Sequence, residues 1–248
     1  VITIKSESEL GLMREAGRLL GDTLDQLEAA VRPGITTGEI DQLADKLIRQ
    51  HGAIPGFLGY NGFPKSLCIS VNEEVVHGIP GKREIKDGDL VSLDCGLILD
   101  GLWADSGRTV MVGNVSDEAK RLVEVTRESL DRGIEQAIPG NRVGDISAAV
   151  QRHVEANGFS VVRNFVGHGI GRNMHEEPQV PNFGVAGAGP LLRPGYALAI
   201  EPMVNAGSHE VQMLPDRWTI ITADGRLSAY FEHTVLITDD GPVVATAA

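Results

Sequence analysis

The stretch LVSLDCGLILDGLWADSGRTVMV, residues 90–112, holds two apolar runs joined at Asp100-Gly101, a dipeptide suited to the two positive-φ positions of a two-residue hairpin turn. With Asp100 and Gly101 as the whole loop, Leu99 faces Leu102, Gly96 faces Asp105, and Asp94 lies diagonal to Asp105. Both carboxylates then point to one face as near neighbours across the ladder. In a run otherwise made of Leu, Val, Ile, Cys and Trp, two such groups repel and lose hydration unless something cationic sits between them. That partner is a Lys or Arg side chain or a metal ion; the plain alternative is a pair of edge-strand aspartates facing water.

Working outward, Leu12, Ala16, Leu20, Leu24 and Leu27 keep helical spacing between Glu9 and Val31, and Pro33-Gly34 ends the pattern. Thr36 with Glu39 reads as a capping box for a second helix, marked by Ile40, Leu43, Ala44, Leu47 and Ile48 and closed by Gly52. The same layout returns downstream. After Ser116 a long helix runs to Ile138 and stops at Pro139-Gly140, 106 positions after Pro33-Gly34; Ile146, Ala149, Val150, His153 and Val154 mark its successor, closed by Gly158. The strands repeat too. IKDGDLVSLD, ending at Asp94, aligns with LRPGYALAIE, ending at Glu201, at an offset of 107. Two units are too few for a solenoid, so the pattern implies an α+β fold in which residues 1–248 form a single catalytic domain with an internal repeat of about 9–112 and 116–238. A site between the halves would draw carboxylates from both.

A chain of 248 residues with 42% hydrophobic and 23% charged side chains suits a globular protein with a sizeable core. With 22 basic against 34 acidic residues, a net charge of −12 and no Lys/Arg run, DNA and anionic membranes are not expected partners. The opening VITIKSESEL has none of the sections of a signal peptide, and no run of about 18 apolar residues occurs, so a cytoplasmic location is expected. Cys68 and Cys95 are the only cysteines, too few for a disulfide framework.

Beyond Asp94 and Asp105, chemistry points to His168 in VGHGIGRNMHEEPQV, Glu201 in LAIEPMV and Glu232 in LSAYFEHTVLIT, a strand-like run through Ile237. Singly, each has an ordinary structural reading: a salt bridge for Glu201, a solvent-facing strand residue for Glu232, a core or turn histidine for His168. Together, four carboxylates and one imidazole form an oxygen-rich donor set of borderline softness. That set suits Mn, Fe(II), Co or Zn, and its acids suffice to bridge two divalent ions roughly 3.5–4 Å apart. Hydrolysis of an amide or phosphate ester follows. The helix-borne HExxH zinc motif is absent, GHGIG does not complete a dinucleotide fingerprint, and there is no phosphate loop or nucleophile elbow.

FPKSLCISVNEEVVHGIP (63–80), SLDCGLILDGLWADSGRT (92–109), GHGIGRNMHEEPQV (167–180), AIEPMV (199–204) and SAYFEHT (228–234) resemble, in order and over nearly the whole chain, the defining segments of methionine aminopeptidase, type I. The resemblance implies the pita-bread fold, two pseudo-symmetric halves with antiparallel sheet and outer helices. It implies that Asp94, Asp105, His168, Glu201 and Glu232 bind two divalent metal ions. Asp105 and Glu232 would bridge both, Asp94 would belong to one, and His168 with Glu201 to the other. It also implies that His77 and His175 contact substrate and assist catalysis.

By the same resemblance a metal-bridging hydroxide attacks the first peptide carbonyl, Glu201 shuttles the proton to the leaving amine, and Tyr60, Phe63, Cys68, Trp218 and Phe57 line a methionine pocket. The short spacing between Glu201 and Glu232 matches type I, since type II members carry a long insertion there. Departures from many bacterial members are Phe57 where cysteine is common, Asn61 for histidine, Phe63 for tyrosine and Met174 for an aromatic residue; these bear on the pocket rim. The expected substrates are N-terminal methionine peptides and nascent chains with a small second residue, met by a monomer with transient ribosome contact. The alternative is a metal-free pita-bread module that binds peptides or proteins, marked by loss of ligands, and here all five positions are kept.

Overall fold

The structure, a computed structural model, describes residues 1–247. Four α-helices occur among them: α1 (Glu7–Ala30), α2 (Thr37–Gln50), α3 (Asp117–Ile134) and α4 (Val143–Ala156). Each begins where a side chain can satisfy a free N–H of its first turn. Ser6 with Glu9 and Thr36 with Glu39 form reciprocal capping boxes, Ser116 Oγ accepts from the Ala119 N–H, and the Asp145 carboxylate accepts from the Arg142 N–H. Helix α3 stops at Ile134, four residues short of the Ile138 expected from the apolar pattern. Its last bonds tighten to Gln136 N–H onto Gly133 and Ala137 N–H onto Ile134, and Pro139 then disfavours a helical Ile138.

The hairpin is as its turn chemistry requires. Leu90–Leu99 pairs with Leu102–Met111 antiparallel, with Leu99 opposite Leu102, Gly96 opposite Asp105 and Asp94 opposite Gly107. Asp100 and Gly101 both have positive φ. Strand alternation sends Leu93, Cys95 and Leu97 into an apolar core with Leu20, Leu24, Ile40 and Ile48 of α1 and α2. Asp94 and Asp105 are thereby turned to the other face. A second sheet of five strands runs in the order Gly241–Val244, His233–Thr238, Ala197–Ile200, Gly167–Gly169, Glu176–Val180. Leu198, Ile200 and Val235 from this sheet pack with Leu130 of α3 and Ile146 of α4.

Glu232 departs from the expected continuous strand. Ser228–Tyr230 pairs with Met203–Asn205, whereas His233–Thr238 pairs with Ala197–Ile200, so two adjacent strands break together and the breaks hold Glu201-Pro202 and Phe231-Glu232. Pro202 cannot donate to a ladder, which is the local reason for the interruption. Glu232 instead bridges to Gly107 of the hairpin. Hydroxyls close the same seam: Ser106 Oγ donates to the Glu232 carbonyl at 2.7 Å, and Thr234 Oγ1 accepts from the Asp105 N–H while donating to the Asp105 carbonyl. No helix among the described residues is long and apolar enough to cross a membrane.

Candidate metal centre and adjoining pocket

Asp105 from the hairpin, His168 from Gly167–Gly169 and Glu232 at the strand break are buried, and each offers a donor atom within 4.8 Å of the others. Glu201 joins them through Oε1, 3.5 Å from His168 Nε2. His168 Nδ1 lies 2.8 Å from the Gly169 carbonyl, which can only accept. The proton therefore sits on Nδ1, and the Nε2 lone pair faces the carboxylates. Burial, chiefly, and the neighbouring His175 hold the His168 pKa down to about 4, so the ring is neutral at pH 7. Glu232 Oε2 accepts from the Tyr230 hydroxyl at 2.5 Å.

All four acids are pushed well above the ordinary carboxylate range. Burial is the largest cause for each, followed by Glu232 acting on Asp94, Asp94 on Asp105, Glu232 on Glu201, and Asp105 on Glu232. Asp94 Oδ1 and Asp105 Oδ1 are buried and lack any hydrogen-bond partner. No Lys or Arg pairs with these four carboxylates among the described residues. Of the two cationic partners that the sequence leaves open, only a metal remains. Unpartnered acceptors, mutual repulsion and an oriented imidazole lone pair are what a divalent cation would relieve and use, and the O-rich, single-nitrogen set suits such an ion.

Beside this cluster lies a cavity of about 190 Å³. Phe57, Tyr60, Phe63, Cys68 and Trp218 all line it, with Asp94, His77, His175, Asn61 and Met174. Phe63 and Trp218 meet edge to face at 5.1 Å. Phe57 packs over Gly96, where a Cβ would stand 2.6 Å from the ring. Cys68 is buried, and burial raises its thiol pKa, so it is wall and not nucleophile. A larger groove of about 800 Å³, bounded by Arg108, Val110, Glu124 and Arg127, contains none of the candidate residues.

Both candidate histidines reach the cavity. His77 has φ of 61°, sits edge-on to Phe165 at 5.6 Å, and burial, with His175 nearby, lowers its pKa to about 4. The His175 ring lies 4.3 Å from that of His168, and its Nδ1 is 2.8 Å from Tyr60 Oη. Lost hydration lowers its pKa as well. A neutral ring that accepts the Tyr60 hydroxyl at Nδ1 carries its proton on Nε2, as a hydrogen-bond donor. Two contributors escape a sequence reading: the Tyr60 hydroxyl, expected only as apolar wall, and Tyr230, whose place two residues before Glu232 was the available signal.

The sequence profile of metallopeptidase family M24 matches residues 11–239. The chain is 57% identical over 246 residues to the methionine aminopeptidase of Clostridium perfringens, covering 99% of each chain. It is 54% identical to methionine aminopeptidase 1 of Bacillus subtilis, covering 97% of each. The crystal structure of methionine aminopeptidase from Thermotoga maritima superposes with a TM-score of 0.98 at 43% identity, covering all of both chains. The fold is accordingly the α+β pita-bread fold. The chain belongs to metallopeptidase family M24 and, within it, to the methionine aminopeptidases of type I.

Proposed function

We propose that this chain hydrolyses the first peptide bond of peptides and nascent chains that begin with methionine, when the second residue is small. The observation that carries the reading is the convergence of Asp105, His168 and Glu232, with Asp94 and Glu201 beside them, next to an apolar cavity that Asp94 also lines. These five residues would hold two divalent ions, of Co, Mn, Fe(II) or Zn. Bound there, such ions lower the pKa of water and polarise a carbonyl.

The chain's own groups account for the rest. Phe57, Tyr60, Phe63, Cys68 and Trp218 take the methionine side chain into polarisable, apolar surroundings. Because Asp94 lines the same cavity, a side chain seated there brings its own amine and carbonyl to the carboxylates, which favours a chain terminus over an internal residue. Glu201, whose carboxylate meets the cluster 3.5 Å from His168 Nε2, is placed to take a proton and pass it to the leaving amine. His77 and His175 donate hydrogen bonds to the scissile amide and to the oxyanion that develops from it. Residues 1–248 act as one catalytic domain in which halves of about 9–112 and 116–238 supply the ligands jointly. A cytoplasmic monomer that touches the ribosome transiently fits substrates that are nascent chains.

Release of free methionine from Met-Ala-Ser and Met-Leu-Ser tests this, using chelated protein, then protein resupplied with Mn, Fe(II), Co or Zn, and Asp105→Ala. The expected outcome is metal-restored cleavage of Met-Ala-Ser alone, lost in the variant. A folded protein that cleaves neither peptide with any metal overturns the reading in favour of a peptide-binding module.

A further inference from the structure

The loop that presents His175 is tied down from the start of the chain. The Lys5 side chain, only 5% exposed, sends Nζ to Glu176 Oε2 and to Thr3 Oγ1, both at 2.8 Å. Thr3 Oγ1 donates to the same Glu176 oxygen at 2.5 Å, and the Asn173 N–H donates to Oε1 at 3.1 Å. The Lys5 N–H is itself anchored on the Gly195 carbonyl at 2.8 Å. At Gly171 a Cβ would lie 2.6 Å from Lys5 Cε and 2.8 Å from Glu176 Oε1, so the loop rests directly on the ion pair because that residue is glycine. The carboxylate is satisfied on both oxygens and nearly dry, and the residue before it in the chain is His175.

We infer that the buried Lys5–Glu176 ion pair is a positioning device for the His175 imidazole, which makes the N-terminal segment part of the machinery that acts on the scissile amide. The inference rests on the proposed role of His175. Without the ammonium, Glu176 would be a buried charge with no cation, and it would turn toward water or take up a proton. Either response moves the backbone to which His175 is joined. The imidazole is otherwise held by the hydrogen bond with Tyr60 and by a tilted contact with the His168 ring, and a displacement of about 1 Å suffices to cost roughly 100-fold in rate. Since the His175 donor acts mainly as charge develops, the loss falls on kcat more than on KM.

The test is Lys5→Met, which keeps the stem and removes the charge, studied alone and combined with His175→Ala. Peptide kinetics are followed on the metal-loaded enzyme, and histidine side-chain NMR on the metal-free protein, with the His175 signal assigned from the spectrum of His175→Ala. The expected result is kcat lower by roughly 10- to 100-fold with KM little changed, almost no further loss in the His175→Ala background, and a displaced His175 signal while that of His153, paired with Glu128 between α4 and α3, stays in place. Losses that multiply in the double variant, or an unmoved His175 signal, overturn the inference. Should Lys5→Met not fold, Thr3→Val, which removes one donor from the same carboxylate, is judged by the same criteria. A wild-type protein that cleaves no peptide defeats the proposed function instead, and the NMR arm still decides whether Lys5 governs His175.

Discussion

Gly107 and Glu232 exchange backbone hydrogen bonds, Glu232 N–H to the Gly107 carbonyl at 2.8 Å and Gly107 N–H to the Glu232 carbonyl at 3.3 Å, and this bridge docks the hairpin on the break between two strands. Tyr230 lies across Gly107 and bonds Glu232 with its hydroxyl, so three residues 2 to 125 positions apart define one corner of the carboxylate cluster.

A Cβ at Gly107 would stand 2.3 Å from Tyr230 Cε1 and 3.1 Å from the Leu93 carbonyl, closer than side chains tolerate. Gly107→Ala is therefore expected to destabilise the protein by about 1–3 kcal/mol through overpacking. It should also weaken metal binding, because Tyr230 can give way only by releasing Glu232. Denaturant melts and calorimetric metal titration check the two effects together, and a variant with wild-type values in both refutes the account.

Protonation of the cluster makes the metal-free protein pH-sensitive. Asp94, Asp105, Glu201 and Glu232 have folded pKa values above their unfolded ones, so the stability they contribute is full below about pH 4 and is lost as pH rises through the folded values. His77, His168 and His233, held down to about 4, act oppositely between about 4 and 6.5 and are then spent. Above about pH 6.5 the carboxylates remain, joined toward pH 8.5 by the buried Cys68 and Cys95 thiols, which burial also raises and which act in the same direction. Chelated protein should thus melt lower at pH 8.5 than at pH 7, by up to about 1.4 kcal/mol per pH unit for each carboxyl that keeps its proton in the folded state and has lost it in the unfolded one, and a saturating divalent ion should remove the carboxylates' share of the slope. Thermal melts with and without metal decide it; a chelated protein that gains stability over this range contradicts the prediction.

His77 occupies a left-handed conformation that asparagine adopts more readily than most side chains. His77→Asn is expected to stay within about 1 kcal/mol of wild-type stability. Its kcat/KM should nevertheless fall by roughly 100- to 1,000-fold, the range for a lost oxyanion donor. Unfolding curves set beside peptide kinetics separate the two, and wild-type kinetics in a folded variant would remove His77 from the machinery.

Much of this was legible along the chain because the signals are local. The Asp100-Gly101 turn sets the register that places Gly96 opposite Asp105, and period-two alternation then assigns Asp94 and Asp105 to one face and Leu93, Cys95 and Leu97 to the other. The Thr36–Glu39 capping box likewise marks the start of α2 from four residues. Where the pattern ran on, as in α3 beyond Ile134, the shift to tighter bonding before Pro139 was below what apolar spacing can register.

By itself, then, the sequence determined the four helices, the cap of the second, the hairpin register, and which residue types could serve as ligands. Tertiary structure alone decided that Glu232 stands at a strand break facing Gly107, that Tyr60 and Tyr230 spend their hydroxyls on His175 and Glu232, and that Lys5 reaches Glu176 across 171 positions. The physical reason is one of range. Turns and caps are settled among residues a few places apart, whereas the partner of a buried polar atom is whichever group the packing of distant strands brings within about 3 Å.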